Sequence, residues 1–429
     1  MTIQEFAAAV SNGSLDELFS HLYGRSEKEL LRQRARYLCA MERFSKLNPE
    51  LDDIRIFSAP SRTEVGGNHT DHQHGCVLAG AVDLDAIALV HLNDEGTIRI
   101  VSDGYGTIEL ETSDLSPAKA EKGTSAALVR GIASRFTELG ADITGFDAFI
   151  TSDVQSGSGL SSSAAFEVLI GTVIDKCFNG GKAGAEGIAK AGQYAENVYF
   201  GKDCGLMDQM ISAVGGFVSV DFKDPSEPLI KPVSFDLISS GYCLCMTDTR
   251  SSHSDLTDDY AAIPAEMSSV AEALGAEYLR DADEQEYFKK LPELRKVCSD
   301  RALLRAAHFF GENERAVLEA EALSGGDLEE FFRLVNESGD SSAFLLQNLF
   351  SPEKPLEQDI PLAIMLSRHV LKGSGAVRVH GGGFAGSIQA FVPSYLSEVY
   401  MSEMDRLFGI GSCRILTIRP VGSTEITLN

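Results

Sequence analysis

The chain of 429 residues has no tryptophan, no C-x-x-C pair among its eight cysteines and no run of eighteen uninterrupted apolar residues. The last of these leaves no candidate for a membrane-spanning helix. The opening Met-Thr-Ile-Gln-Glu-Phe also lacks the basic region and long apolar core of a signal peptide, so a cytoplasmic protein is expected. Cys39, Cys76, Cys177, Cys204, Cys243, Cys245, Cys298 and Cys413 are scattered, which indicates neither a zinc ribbon nor a disulfide framework; reduced, mostly buried thiols are expected. The missing tryptophan does not argue against adenine binding, which other side chains can supply.

Positive charge is the other deficit. Lys and Arg number 37 against 63 Asp and Glu, a formal charge of −26, which disfavours nonspecific binding to nucleic acid or to an anionic membrane. The expected partners are small molecules, with no nucleic acid and no membrane, and any polyanion must be held by a local cradle. The length and the 44% hydrophobic content fit a soluble globular protein of two domains, expected to act as a monomer.

The first fifty residues read as helical, with Leu15, Leu18, Phe19 and Leu22 at helical spacing. Strand patterns follow at 54–57, 77–90, 97–101 and 107–111, then helices at 124–139, 161–176 and 185–199 around a strand at 146–151, and a further strand near 216–222. Turn formers cluster at Asp224-Pro225-Ser226-Glu227-Pro228, so the expected division is 1–224 and 225–429. The second half reads as a strand at 242–247, helices at 263–274, 291–311 and 313–323 and another after Pro361, then strands at 376–379, 387–392 and 414–420. The predicted fold class is α/β (α+β).

Between the strand at 146–151 and the next helix lies Val154-Gln-Ser-Gly-Ser-Gly-Leu-Ser-Ser-Ser-Ala-Ala-Phe-Glu-Val168. Gly157 and Gly159 permit close backbone approach, Ser161, Ser162 and Ser163 offer hydroxyls, and the N–H groups of a first helical turn lack intrahelical partners, so phosphate is the natural guest. The Walker pattern fails, because Gly181-Lys182-Ala183 and Gly201-Lys202-Asp203 lack the hydroxyl; the dinucleotide fingerprint fails because Ser162 stands where its third glycine belongs. Composition alone also allows an ordinary loop before a core helix.

Three other segments are chemically dense. Residues 58–73 set Arg62, Glu64, Asn68, His69, Asp71 and His72 around the Gly66-Gly67 turn. His69, Asp71, His72 and His74 all have metal-ligating atoms, yet neither an H-E-x-x-H helix nor a known cysteine partner accompanies them. Asp203-Cys204-Gly205-Leu206-Met207-Asp208-Gln209 places a carboxylate beside flexible backbone with Glu196 twelve residues earlier, and His380-Gly381-Gly382-Gly383-Phe384-Ala385-Gly386 lies between two strands. Each alone is compatible with solvated charge or a wide hairpin.

Taken in order, Ala59-Pro60-x-Arg62 with His69-Thr70-Asp71, Gly157-x-Gly159-Leu160-Ser161-Ser162-Ser163-Ala164, Gly205-x-Met207-Asp208-Gln209 and Gly381-Gly382-Gly383-Phe384-x-Gly386 resemble the GHMP small-molecule kinases, specifically the galactokinase family. His253-Ser254 with Tyr260, and Arg305-Ala306-Ala307-His308 followed by Gly311-Glu312-Asn313-Glu314-Arg315, are weaker matches. The resemblance implies two α/β domains with ATP and a sugar in the cleft between them. It implies that Gly157, Ser158, Gly159, Leu160, Ser161, Ser162 and Ser163 wrap the ATP phosphates and that Ser163 and Glu196 hold Mg²⁺. It further implies Asp208 at the sugar's anomeric hydroxyl, as base or orienting anion, Arg62 stabilising that charge, and Asn68, His69, Asp71, Gly205 and Tyr260 at the sugar.

The sequence departs from the family pattern at Asn68, where galactokinases carry Glu in Gly-Glu-His-Thr-Asp-Tyr, and at His72, which replaces the Tyr; Ser61 and Ala385 replace glycines. The family's Glu reaches the sugar's C6 hydroxyl, so an amide there is compatible with galactose, with a C6 carboxylate such as galacturonate's, or with a sugar lacking C6. The implied activity is an ATP-dependent sugar 1-kinase, most simply a galactokinase. A sugar- and ATP-binding sensor without activity is the alternative from another class, opposed by intact Ser163, Glu196 and Asp208.

Overall fold

The computed structural model describes residues 1–154, 160–202, 204–251 and 256–428. Its strands are β1 (Arg55–Gly66), β2 (Cys76–Leu92), β3 (Thr97–Ser102), β4 (Gly106–Glu111), β5 (Phe146–Ser152), β6 (Phe217–Asp221), β7 (Leu229–Val233), β8 (Tyr242–Asp248), β9 (Ala376–Val379), β10 (Ser387–Pro393), β11 (Cys413–Leu416) and β12 (Thr424–Ile426). They form two sheets. The larger runs β12-β1-β2-β5-β3-β4, with β6 on β2 and β7 on β6; the smaller is β11-β8-β10-β9.

The 17-residue β2 spans both halves of the larger sheet: Ala86 to Leu92 pair with β5, and Cys76 to Gly80 pair with β6. Its run of small and β-branched residues suits burial on both faces. The helices Ser125–Glu138, Ser162–Phe178, Gly184–Tyr194 and Met207–Val214 cover one face, burying Phe57, Val77, Val129, Ile132, Val168, Ile170, Met210 and Ile211 in one core. The other face is shared. Val65, Leu78 and Phe217 meet Leu244, Leu323, Phe331 and Phe391 from the smaller sheet and its helices, so the two sheets are joined by a continuous apolar layer.

The helical lead-in is Ile3–Asn12, Asp16–Tyr23 and Glu27–Leu47. Thr2 and Glu5 form a capping box on the first helix, and Ser26 caps the third through the Glu29 N–H. Phe6, Val10, Phe19, Tyr37 and Phe44 pack against Ile56, Ile87, Leu89 and Phe149 of the sheet. The fully buried Asp85 of β2 takes Tyr23 Oη at 2.6 Å, Arg36 at 2.5 Å and Arg419 at 3.1 Å, so one carboxylate fastens both the lead-in and the segment before β12.

The expected division after residue 224 lies in the connection between β6 and β7, which pair with each other, and β12 returns to the larger sheet against β1. The strand expected at 414–420 stops at Leu416. The helices expected at 291–311 and 313–323 are a short turn, Leu291–Leu294, and one continuous helix, Asp300–Gly325, capped by Ser299. The helix expected at 185–199 ends at Tyr194 and continues as a π-helical turn, Ala195–Phe200. No helix among the described residues is long and apolar enough to cross a membrane.

Candidate active site

β1 supplies the first part of the site. Side chains alternate along a strand, so Arg62 and Glu64 share one face. Register shifts between Pro60 and Arg62 and between Glu64 and Gly66 mark irregularities that re-aim side chains. Arg62 grips Asp208 with two hydrogen bonds, Nε to Oδ1 at 2.7 Å and Nη2 to Oδ2 at 3.0 Å, the bidentate fork that fixes a carboxylate in plane.

Asp208 lies in the first turn of Met207–Val214, where the helix dipole favours an anion. Its second tether is Ser161, whose hydroxyl donates to Oδ2 at 2.6 Å. Ser161 has φ of 56°, a strained value for a side-chain-bearing residue; rather than capping Ser162–Phe178, it reaches across to Asp208. Burial pushes the Asp208 carboxyl up, but Arg62, the Ser161 hydroxyl and Lys202 outweigh it and hold the group below the ordinary aspartate value. Its side chain keeps 28% of its surface open, so the anion is still reachable.

Asp71 belongs to a short 3₁₀ turn, Asp71–Gln73, after the Gly66-Gly67 bend. A Cβ on Gly205 would stand 2.5 Å from Asp71 Oδ2, so the two sequence-distant segments touch at this glycine. Burial, and then the negative charge of Asp208, raise the Asp71 pKa. His69 has φ of 58° and its Nε2 lies 3.0 Å from the Gly382 carbonyl oxygen. Burial drives His69 down to about 4 and His72 down to about 3, so both imidazoles are neutral at physiological pH. Tyr260 donates to the Gly383 carbonyl at 2.9 Å, and its ring fills the space a Cβ on Gly382 would need.

Asn68 is fully buried. Its amide donates to Glu64 Oε1 at 2.7 Å and to the Gly381 carbonyl at 2.8 Å, and its Oδ1 accepts from Asn348 at 2.9 Å. The two weaker sequence matches build the wall behind it. His308 Nε2 is 2.9 Å from the Asn68 carbonyl oxygen, and Glu312 Oε1 accepts the N–H groups of Gly67 and Asn68 at 3.1 and 3.3 Å. Burial works against the Glu312 carboxylate, but His308, Arg378 and Arg315 hold it at about 2.

Glu196 sits in the π-helical turn Ala195–Phe200, the kind of irregularity that recurs at functional sites. Lys202 Nζ lies 3.0 Å from its Oε1, and Gln209 donates to its Oε2 at 3.1 Å and to Glu167 Oε2 at 2.8 Å. Burial, and then the charge of Glu196, push Glu167 up to about 8. Among the described residues, Glu167 Oε1 and Gln209 Oε1 are buried without a hydrogen-bond partner. Oxygen acceptors gathered this way fit a hydrated hard cation. Ser163 stands in the first turn of Ser162–Phe178.

The structure therefore brings Arg62, Asp208, Ser161, Asp71 and Gly205 into one cluster, with His69, Asn68 and Tyr260 linked through the Gly381–Gly383 carbonyls. Gly157, Ser158 and Gly159, with His253 and Ser254, lie outside the described residues. No group of three or more metal-ligating His, Cys, Asp or Glu residues occurs among the described residues, so the rival histidine metal site does not assemble there. Glu167 and Arg378 had no sequence signal beyond their charge, Glu64 had only its place in the dense 58–73 segment, and Lys202 only its place as the lysine of a failed Walker pattern.

The GHMP kinases N terminal domain family matches residues 127–216, and the galactokinase galactose-binding signature matches residues 42–92. A galactokinase from Streptomyces coelicolor is 33% identical over 77% of this chain and 83% of its own length. One from Glaesserella parasuis is 30% identical over 78% and 84%. The crystal structure of Lactococcus lactis galactokinase complexed with galactose superposes with a TM-score of 0.76 at 22% identity, covering 90% of this chain and 98% of that one. The fold and the site matches define a GHMP kinase, a phosphotransferase with an alcohol acceptor and ATP as co-substrate. Within that class the chain belongs to the galactokinase family.

Proposed function

We propose that the protein phosphorylates the anomeric hydroxyl of galactose, converting ATP and α-D-galactose to ADP and galactose 1-phosphate. The observation that carries this reading is the two-point clamp of Arg62 on Asp208 beside Asp71, an anion held ready next to a hydroxyl-binding carboxylate. Asp208, kept ionised, accepts a hydrogen bond from the acceptor hydroxyl and takes its proton as the new O–P bond forms and the bond to ADP breaks. Arg62 keeps the base charged and offsets negative charge gathering on the transferring group. In such reactions positioning and electrostatics supply most of the acceleration.

His69, Asp71, Gly205, Tyr260 and Asn68 form the sugar side, Asn68 through its neighbours. The loop from Gly157 through Ser163 receives the ATP phosphates, and Glu196 with Ser163 would hold Mg²⁺, which supplies positive charge to the β- and γ-phosphates. Two lobes, divided near residues 224–225 in the chain, flank the cleft; the protein works as a cytoplasmic monomer.

The test is ATP consumption with Mg²⁺ against galactose, galacturonate, glucuronate, arabinose and talose, with phosphorus NMR of the product. Galactose 1-phosphate is the expected signal. ATP binding without turnover on any sugar would overturn the reading in favour of a sensor.

A further inference from the structure

Asn68 has already committed both amide hydrogens within the protein, to Glu64 and to the Gly381 carbonyl. A sugar hydroxyl cannot be received by those hydrogens without breaking one of these bonds. Glu64 is in a different position. Its Oε1 takes the Asn68 amide and the Arg378 guanidinium at 3.3 Å, while its Oε2 makes no hydrogen bond among the described residues. The side chain is 7% exposed and lies on the same face of β1 as Arg62, which grips Asp208, two residues and therefore about 6.5 Å along the strand from it.

That offset is roughly the breadth of a pyranose with its exocyclic group. Unlike the oxygens of Glu319, this Oε2 is not sealed from solvent, so a hydroxyl arriving with the ligand replaces water as its donor. We infer that Glu64, oriented by Asn68, receives the sugar hydroxyl most remote from the phosphoryl acceptor and restricts the site to neutral hexoses. The inference rests on the sugar-kinase reading. Asn68 is then a positioning residue: its amide and Arg378 together occupy Oε1 and turn Oε2 toward the cleft. A sugar acid would set a second carboxylate against Glu64, with Asp71 already nearby, and like charges in a poorly hydrated pocket repel strongly. Burial pushes Glu64 up to about 7 against the pull of Arg378 and Arg62, so its charge, and with it the exclusion of a sugar acid, should strengthen as pH rises through that value.

The experiment is calorimetric titration of the full chain, without ATP, with galactose, 6-deoxygalactose and galacturonate. Wild type should bind galactose about tenfold or more tighter than 6-deoxygalactose, the weight of one hydrogen bond to a charged group, and galacturonate weakest of the three. Glu64→Gln should bind galactose about tenfold more weakly, leave 6-deoxygalactose unchanged and narrow the gap to galacturonate. Asn68→Ala should reduce the galactose to 6-deoxygalactose ratio, because Glu64 loses the donor that orients it.

Equal wild-type affinity for galactose and 6-deoxygalactose overturns the assignment without recourse to any variant. So does a galacturonate preference, which leaves the kinase reading standing. Galactose bound through Glu64 with no ATP-dependent phosphorylation of any sugar does the reverse.

Discussion

Gly205 and Asp71 meet so closely that a methyl group at 205 would stand 2.5 Å from the aspartate oxygen. The backbone there is not in the left-handed region, so the requirement is one of space rather than of torsion. Gly205→Ala should push Asp71 out of place and raise KM for the sugar about tenfold or more, with KM for ATP within twofold; misplacement of this size near reacting groups is costly. Steady-state kinetics with each substrate varied in turn checks it.

Asp208→Asn removes the charge that Arg62 and Ser161 organise. The expected loss in kcat is about 10³-fold or more, given that single electrostatic groups at such sites are worth about 10²–10³ and the proton acceptor is lost as well. Sugar-induced thermal stabilisation should persist. Normal turnover by this variant would take Asp208 out of the reaction.

Glu196→Gln should raise the Mg²⁺ concentration for half-maximal activity by about tenfold or more, the scale set by weakened metal environments. The sugar Kd, measured without nucleotide, should not move. Chelation of the wild-type enzyme should abolish turnover and added Mg²⁺ should restore it.

Glu319 supplies the pH prediction. Both its oxygens are buried without a partner among the described residues, and burial, then the charge of Glu312, raises its pKa well above the ordinary glutamate value. The folded state therefore binds a proton that the unfolded state has released above 4.5, and stability falls as pH rises from that value toward the folded one. Glu319→Gln keeps the shape and removes the titration, so its advantage over wild type in urea denaturation should grow by up to about 1.4 kcal/mol per pH unit across that window. An advantage independent of pH would show that Glu319 does not titrate there.

The sequence revealed much of this because four glycine-bearing segments sit in family order, and the strands β1 to β6 carry β-branched or alternating patterns. β7 was hidden by Pro232 and its flanking turn formers, and β12 is only three residues long. The helix Asp300–Gly325 read as two because Glu312 and Glu319, both fully buried, mimic a solvent face. Glu312 is offset by His308 and Arg315 of its own helix and by Arg378 from elsewhere in the chain, while Glu319 has no hydrogen-bond partner among the described residues. Arg378, on β9, reaches both Glu64 and Glu312, and no local pattern announces it. The π-helical turn that aims Glu196 likewise has no composition of its own.

The return of β12 to β1 also bears on how the protein is made. Arg419 neutralises Asp85, and Thr424 to Ile426 pair with the strand that carries Arg62. On a ribosome the larger sheet therefore cannot finish until residues 419–426, which follow every strand of the smaller sheet, have emerged; until then the outer edge of β1 is open and the buried Asp85 lacks one of its two arginines. Its nascent form is thus an unfinished sheet with an unpaired strand edge, the state in which a chaperone has most to shield.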